Sequence, residues 1–228
     1  MTLRLASVVL LAILATSCGA GSVDYSKIRS VGFANGMGDQ LNRIKIGTTV
    51  FNNSSESVLV PGLSKRTTSV VVEVLKGKVN RVVSLDVDTS PRKFSLLAGR
   101  SPTVDAEDFR TKAIAAAKTG GLDAVWIVFP GQFSAYGSRG PGTSGYEHRQ
   151  DVMFGYARDS LHFTAVAELI DARTGNSLRT ATTALIGMKS IESEDWQEGW
   201  KALNGARKKV VIEGITEASD TALRAIMK

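Results

Sequence analysis

A single cysteine, Cys18, occurs in this 228-residue chain, and it limits how any fold can be held together. One thiol makes neither a disulfide framework nor a multi-thiolate zinc site, and two histidines leave little material for a histidine-rich metal centre. No metal and no cofactor is therefore expected. Stability has to come from buried apolar surface, and ~200 residues suffice for one domain burying roughly 70% of its unfolded surface. With 43% hydrophobic and 22% charged residues, the composition is globular, which argues against disorder and against a polytopic membrane protein. The formal charge of +6 is spread along the chain without a dense Lys/Arg tract, so no nucleic-acid partner is expected. A positive excess of this size favours anionic headgroups or wall polymers, or is simply a solvated mixed-sign surface.

The segment before Cys18 is more specific. Met1-Thr2-Leu3-Arg4 is a short positive run, and residues 5–15 are apolar but too few to span a bilayer as a helix, which needs roughly 20. Leu14-Ala15-Thr16-Ser17 then leads directly into Cys18. This arrangement resembles a bacterial lipobox, with Ala15 where Leu is more usual. The resemblance implies cleavage before Cys18, diacylation of its sulfur and acylation of the new amino group. At about 0.8 kcal/mol per buried methylene, two or three acyl chains make a durable anchor. Gly19, rather than Asp, follows Cys18; by analogy with enteric bacteria the resemblance then implies, for an organism with two membranes, the outer membrane with the domain in the periplasm. The alternative is an ordinary secretory signal cut near Ala20. The organisation read here is a signal peptide at 1–17, a tether at 18–26 and a single periplasmic α/β domain at 27–228.

Within the domain, residues 28–34 read as a strand, 35–39 as a turn and 41–51 as the returning partner of a hairpin. Pro61 is well placed at the start of a helix reaching Gly77, and 79–87 is a Val-rich strand. A helix over 106–118, capped by Thr103 or Asp105, turns Phe109, Ala113, Ala116 and Ala117 inward and closes at Gly120-Gly121. Residues 122–129 form a buried strand after it, so a strand, crossover helix and neighbouring parallel strand are expected. Residues 156–170 and 177–187 form two strands around a turn at 171–176. Along the first, Leu161, Phe163, Ala165, Ala167 and Leu169 share one face, and His162, Thr164, Val166 and Glu168 the other. A long helix from Ser193, its N-cap, closes the chain with Trp196 and Trp200 as core anchors, and Gly205 or Gly214 as a kink. The fold class is α/β: a single mixed-sheet domain with helices packed on it and a long C-terminal helix.

The order of these elements, with Leu122-Asp123-Ala124-Val125 before Asp171-Ala172-Arg173-Thr174-Gly175, resembles the periplasmic domain of the curli-secretion-channel and penicillin-binding-protein-activator lipoproteins. The resemblance spans residues 105–187 and concerns a strand and a turn. It implies an envelope setting, and carries over no functional residue.

Candidate chemistry is sparse. Asn35-Gly36-Met37-Gly38-Asp39 lacks the third glycine and following helix of a dinucleotide loop and reads as a turn. Asp86 and Asp88 share a face at a strand end, where they either hold a cation or cap the next turn. Glu147-His148 reads as a solvated loop pair and His162 as a satisfied histidine. No nucleophile elbow or Ser-x-x-Lys is present. The chain is read as not an enzyme.

Residues 131–151 read as a long Gly-rich polar loop, and such loops inside compact domains are commonly functional. Phe133, Tyr136, Arg139, Tyr146, His148 and Arg149 are the candidate partner-binding residues there, since Tyr and Arg are typical contact residues. The second reading is a variable surface loop, and the third is a membrane-inserting hairpin over 126–156, interrupted by Pro130, Gly131 and Gly137. The function expected is a non-catalytic accessory or scaffold that binds an envelope protein partner, held to the membrane through acylated Cys18. The alternatives are a subunit of a homo-oligomeric outer-membrane secretion channel, and an envelope hydrolase with an unfamiliar site.

Overall fold

The structure, a computed structural model, describes residues 23–49, 52–88, 106–133, 143–153, 156–184, 186–193 and 199–228. Cys18 and the signal segment lie outside the described residues. The elements are β1 (Ser30–Asn35), β2 (Gln40–Ile46), β3 (Ser54–Leu59), α1 (Leu63–Leu75), β4 (Arg81–Leu85), α2 (Ala106–Thr119), β5 (Ala124–Pro130), β6 (Gln132–Phe133), β7 (Thr143–Met153), β8 (Tyr156–Asp171), β9 (Ser177–Thr182), β10 (Met188–Ile191), α3 (Gly199–Ala202) and α4 (Gly205–Ile226).

They form one mixed ten-stranded sheet whose main path is β3-β2-β7-β8-β5-β1-β4. The long strand β8 joins two halves. Its second part pairs antiparallel with β5 and β9, and its first part with β7 and β10. In one half β1 runs parallel to β4 and β5; in the other β2 runs parallel to β7 and antiparallel to β3. Helices α1 and α4 cover one face, and α2 covers the opposite face of the β5-β1-β4 half.

Alternation explains the two cores. Trp126 and Val128 on β5, Phe33 on β1, and Leu161, Phe163 and Leu169 on β8 face α1 and α4. Val125, Ile127 and Ala34 face the other way, onto Phe109, Ala113 and Ala117 of α2. The expected apolar face of β8 is therefore present along its whole length, and α2 forms as read, with Ala116 half-buried at its margin.

Four local expectations are corrected. β2 does not return along β1, because both edges of β1 are taken by β4 and β5. The turn between them instead serves α1. Asp39 accepts from Ser64 N at 2.7 Å and Gly62 N at 3.3 Å, and Asn35 Nδ2 donates to Ser64 O at 2.8 Å. Asp39 thus caps a helix whose own N-cap, Gly62, has no side chain to do so. The strands flanking α2 are parallel but not neighbours, since β1 lies between β4 and β5.

The closing helix is also shorter than expected. α4 starts after Asn204, whose side chain accepts from Arg207 N at 2.8 Å; Ser193 donates to Asp159, and residues 194–198, where its expected helix would begin, lie outside the described residues. Trp196 lies outside the described residues, and Trp200, in the single turn α3, packs partly buried on the core. Gly205 begins α4, and Gly214 is a close approach rather than a kink: a Cβ there would run into Leu161 Cδ1 of β8. Gly214→Ala is expected to destabilise the domain by about 1–3 kcal/mol, because overpacking outweighs the helix-propensity gain of up to about 1 kcal/mol. Urea unfolding checks this, and in a Leu161→Ala background, itself destabilised by the lost core packing, Gly214→Ala should cost less than it does alone.

Candidate functional site

The polar residues that sequence reasoning placed on a loop belong to β7. β6 pairs with the first residues of β7, Phe133 opposite Thr143, so 131–151 is a hairpin stem and a strand rather than one long loop. Tyr146, His148 and Arg149 are buried, with 1%, 2% and 7% exposure. Their expected place on an accessible loop is corrected. The strand was missed because charged residues occupy both of its faces, which hides the period-two signal. Phe133 is in β6, and Tyr136 and Arg139 lie outside the described residues.

Tyr146 points into the core beneath α1. Its hydroxyl donates to Leu63 O at 3.2 Å and lies 2.6 Å from Thr67 Oγ1, and burial pushes the phenol well above its ordinary pKa. Its ring leans on Phe163 at 5.3 Å.

On the same face, toward the far end of β7, an ionic cluster forms around Asp159 of β8. Asp159 Oδ1 accepts from Gln150 Nε2 at 2.8 Å and Ser193 Oγ at 3.2 Å; Oδ2 accepts from Arg207 Nη2 at 2.9 Å and His148 Nε2 at 3.2 Å. Arg43 Nε approaches His148 Nδ1 at 3.5 Å. An arginine only donates, so Nδ1 accepts and the ring proton sits on Nε2, facing the carboxylate. Arg43 also reaches Glu56 Oε2 at 3.5 Å, and that oxygen accepts from Trp200 N at 2.6 Å. Burial works to raise the Asp159 pKa, but the hydrogen bonds from His148 and Gln150 and the Arg207 charge hold it below the usual carboxylate value.

The opposite face of β7 carries Glu147, Arg149 and Asp151. Arg149 Nε donates to Asp151 Oδ1 at 3.0 Å, and its Nη1 lies 3.9 Å from Glu147 Oε1. Glu147 is fully buried; its Oε2 accepts from Ser144 N at 3.4 Å, and its Oε1 has no hydrogen-bond partner among the described residues. Burial raises its pKa to about 8 against the partial relief from Arg149. His162, opposite Glu147 on β8, sits 2.8 Å from Ser160 Oγ, and burial with the Arg149 charge lowers it to about 4. Glu147 and His148, read as a solvated pair, are thus buried on opposite faces.

Asp86 and Asp88 are exposed beyond β4, and Asp88 lies 3.7 Å from Lys112. Among the described residues no group of three His, Cys, Asp or Glu is placed to hold a metal ion. Among them, too, no helix is long and apolar enough to cross a membrane.

No protein-family model and no curated protein matches the chain. Solved structures similar to it include the PelC dodecamer from Paraburkholderia phytofirmans, at 10% identity and TM-score 0.35, over 91% of this chain and 92% of that one. Lipoprotein GNA1162 from Neisseria meningitidis is 10% identical at TM-score 0.34, over 83% and 96% of the two chains. The LpoB C-terminal domain from Salmonella enterica is 14% identical at TM-score 0.24, over 75% and 88%. These are distant likenesses, and the fold described above stands on its own strand register.

Two predictions follow from the geometry. Asp159→Ala leaves the Arg207 and His148 donors buried without their acceptor and is expected to cost about 3–5 kcal/mol in urea unfolding, against about 0.5 kcal/mol or less for exposed Asp86→Ala. The second concerns pH. Folded Glu147 keeps its proton to about pH 8 whereas the unfolded side chain loses it near 4.5, so stability falls as pH rises through that window. Folded His162 stays neutral down to about 4 while the unfolded ring protonates below 6.5, so stability falls as pH drops through that window. The opposed slopes offset between about 4.5 and 6.5. Glu147→Gln should remove the alkaline limb and raise stability at pH 8 by on the order of 2 kcal/mol, read from urea midpoints across pH.

Proposed function

We propose that this chain is a lipid-anchored protein of the outer membrane whose periplasmic α/β domain acts as a non-catalytic accessory or scaffold for a protein partner. The observation that carries this reading is where the reactive side chains lie. His148 is hydrogen-bonded to Asp159 on one face of the β7–β8 pair, and Glu147 and His162 lie opposite each other on the other face, all with at most partial exposure, so among the described residues none of them forms an open acid–base pair. What remains for function is surface. The β6–β7 stem brings the two ends of the nine residues 134–142 together, and this segment, with Phe133, Tyr136 and Arg139, is the proposed contact. Tyr156, 83% exposed, is an aromatic side chain at the other end of β7, where β8 begins.

A second reading, a subunit of a homo-oligomeric secretion channel, is favoured by the two ends of the sheet. β3 and β4 end its path, and among the described residues neither has a second partner strand. Pairing β3 of one copy with β4 of the next is a head-to-tail contact, which closes into a ring when the rotation fits.

Crosslinking in intact cells followed by mass analysis of the complex tests both. The expected product is this chain joined to one foreign protein, and Tyr136→Ala with Arg139→Ala should reduce its capture by about tenfold or more. Removing 134–149 outright would take most of β7 out of the sheet and is not informative. A ladder of multiples of the chain's own mass would establish the second reading instead. Mass measurement of the N-terminal peptide should place the acyl chains on Cys18.

A further inference from the structure

We propose that the end of the domain where the tether joins it is a docking face for anionic lipid headgroups, an inference that rests on reading Cys18 as the lipid anchor. The first argument is reach. Gly19, Ala20, Gly21 and Ser22 separate Cys18 from Val23, which already packs on the core between the sheet and α1/α4. Five Cα steps span at most roughly 18 Å, so an acylated Cys18 keeps this end of the domain close to the bilayer whatever path the tether takes.

The elements that meet there are fixed by contacts. Trp126 Nε1 at the start of β5 donates to Tyr25 Oη at 3.2 Å, and Arg29 O accepts from Asn80 N and Arg81 N ahead of β4. The 171–176 turn closes over the same end, where Ala172 N donates to Asp123 O at 2.9 Å. α4 finishes beside it, with Lys78 Nζ donating to Met227 O at 2.8 Å and Arg179 Nη1 to Lys228 O at 3.2 Å. The N-terminal ends of β1, β4 and β5 and the C-terminal ends of α1, α2 and α4 therefore share one surface.

The second argument is charge. Elsewhere many of the basic side chains are neutralised: Arg66 by Asp220, Arg110 by Glu168, Lys112 by Asp108, Lys189 by Glu217, Arg207 by Asp159 and Arg224 by Glu73, while the bases there without an ion pair among the described residues, Lys65, Arg158, Lys201 and Lys208, are not gathered at one end. At the tether end the exposed Lys27, Arg29, Arg81, Lys118 and Arg173 form no ion pair within 4 Å among the described residues. The local acids are turned to backbone amides instead. Asp24 accepts from Ser26 N, Asp123 from Arg29 N and Ser30 N, and Asp171 from Arg173 N and Thr174 N. Lys78 and Arg179 are spent on the last carbonyls of α4, as basic groups at helix C-termini commonly are. Burial, then the neighbouring charges of Arg179 and Lys228, hold the Lys78 pKa below the ordinary lysine value, which marks the sign of the local field. The five exposed bases face outward toward the surface that the tether keeps near, and anionic headgroups are the complementary partner.

The test uses residues 18–228 carrying Cys18→Ser, so that no acyl chain contributes, and sedimentation with vesicles of phosphatidylethanolamine and phosphatidylglycerol against phosphatidylcholine alone. Binding to the anionic vesicles only, falling as salt is raised toward ~0.15 M, is the expected result. Lys27→Gln, Arg29→Gln and Arg81→Gln should each weaken it by about fivefold, and the triple variant by about a hundredfold. Lys65→Gln with Lys209→Gln, at the N-terminal ends of α1 and α4, should leave it unchanged, and circular dichroism confirms that each variant is folded. Equal binding to both vesicle types, no difference between the two sets of variants, or binding to soluble polyphosphate without binding to vesicles would overturn the proposal. Acylated Cys18 without anionic-vesicle binding removes the docking face and spares the anchor. Unmodified Cys18 with charge-dependent binding does the reverse.

Discussion

The fold depends on the pairing of one strand. β8 has 16 residues and carries neighbours on both edges along its length, β7 and then β5 on one side, β10 and then β9 on the other. Its side-chain alternation is unbroken across the change of partners, so Leu161, Phe163, Ala165, Ala167 and Leu169 make one apolar stripe beneath α4 and the neighbouring core. The opposite face changes character midway. Near its C-terminal end Ile170 packs into the apolar layer of α2, while His162 and Ser160 belong to the polar group around Glu147. A one-residue slip of β8 would exchange these faces in both halves at once, which ties the register of the whole sheet to this strand.

The buried charges around Asp159 do different work from the apolar stripe. Burying charged groups and pairing them well brings little net stability over an apolar core of the same shape. What the arrangement supplies is placement. Apolar packing through Gly214 and Leu161 brings α4 close to β8 but tolerates sliding along the stripe. Arg207 on Asp159, with Asn204 capping the first turn, fixes where α4 begins, and Glu56 on Trp200 N fixes α3 against β3. Five polar side chains from β2, β7, β8 and α4 agree on one position, and a displaced helix would leave several of them unpaired.

This division also explains how much could be read from the sequence. The apolar strands β1, β5 and the C-terminal part of β8, the helix α2 and the turn at Asp171 announce themselves by period and by turn chemistry, and each formed where expected. β7 did not. Thr143–Met153 has polar or charged residues on both faces, and its burial depends on partners 11 to over 100 positions away, such as Asp159 and Arg43. Local periodicity carries no trace of such pairing. The break before α4 was equally hidden: Asn204 resembles any polar residue in an amphipathic run until its side chain is seen closing on Arg207 N. The accessible loop expected over 131–151 therefore takes in Tyr146, His148 and Arg149, side chains that the sheet buries.

The geometry of the sheet then sets a direction for whatever the domain binds. The tether joins at the start of β1, and β5 and the second half of β8 run side by side from that end. β5 is seven residues long, so the β6–β7 stem leaves the sheet about 20 Å from the tether end. Tyr156, at the opposite end of β8, lies about 50 Å away along that strand. The charge distribution matches the same axis. Five exposed bases without an ion pair among the described residues lie at the end where β1 starts, whereas toward the far end of β7 and β8 Asp159 and Glu56 neutralise Arg207 and Arg43, and exposed Arg158 is a base without an ion pair among those residues. The exposed Tyr156 lies at that far end, and the β6–β7 stem between it and the start of β1.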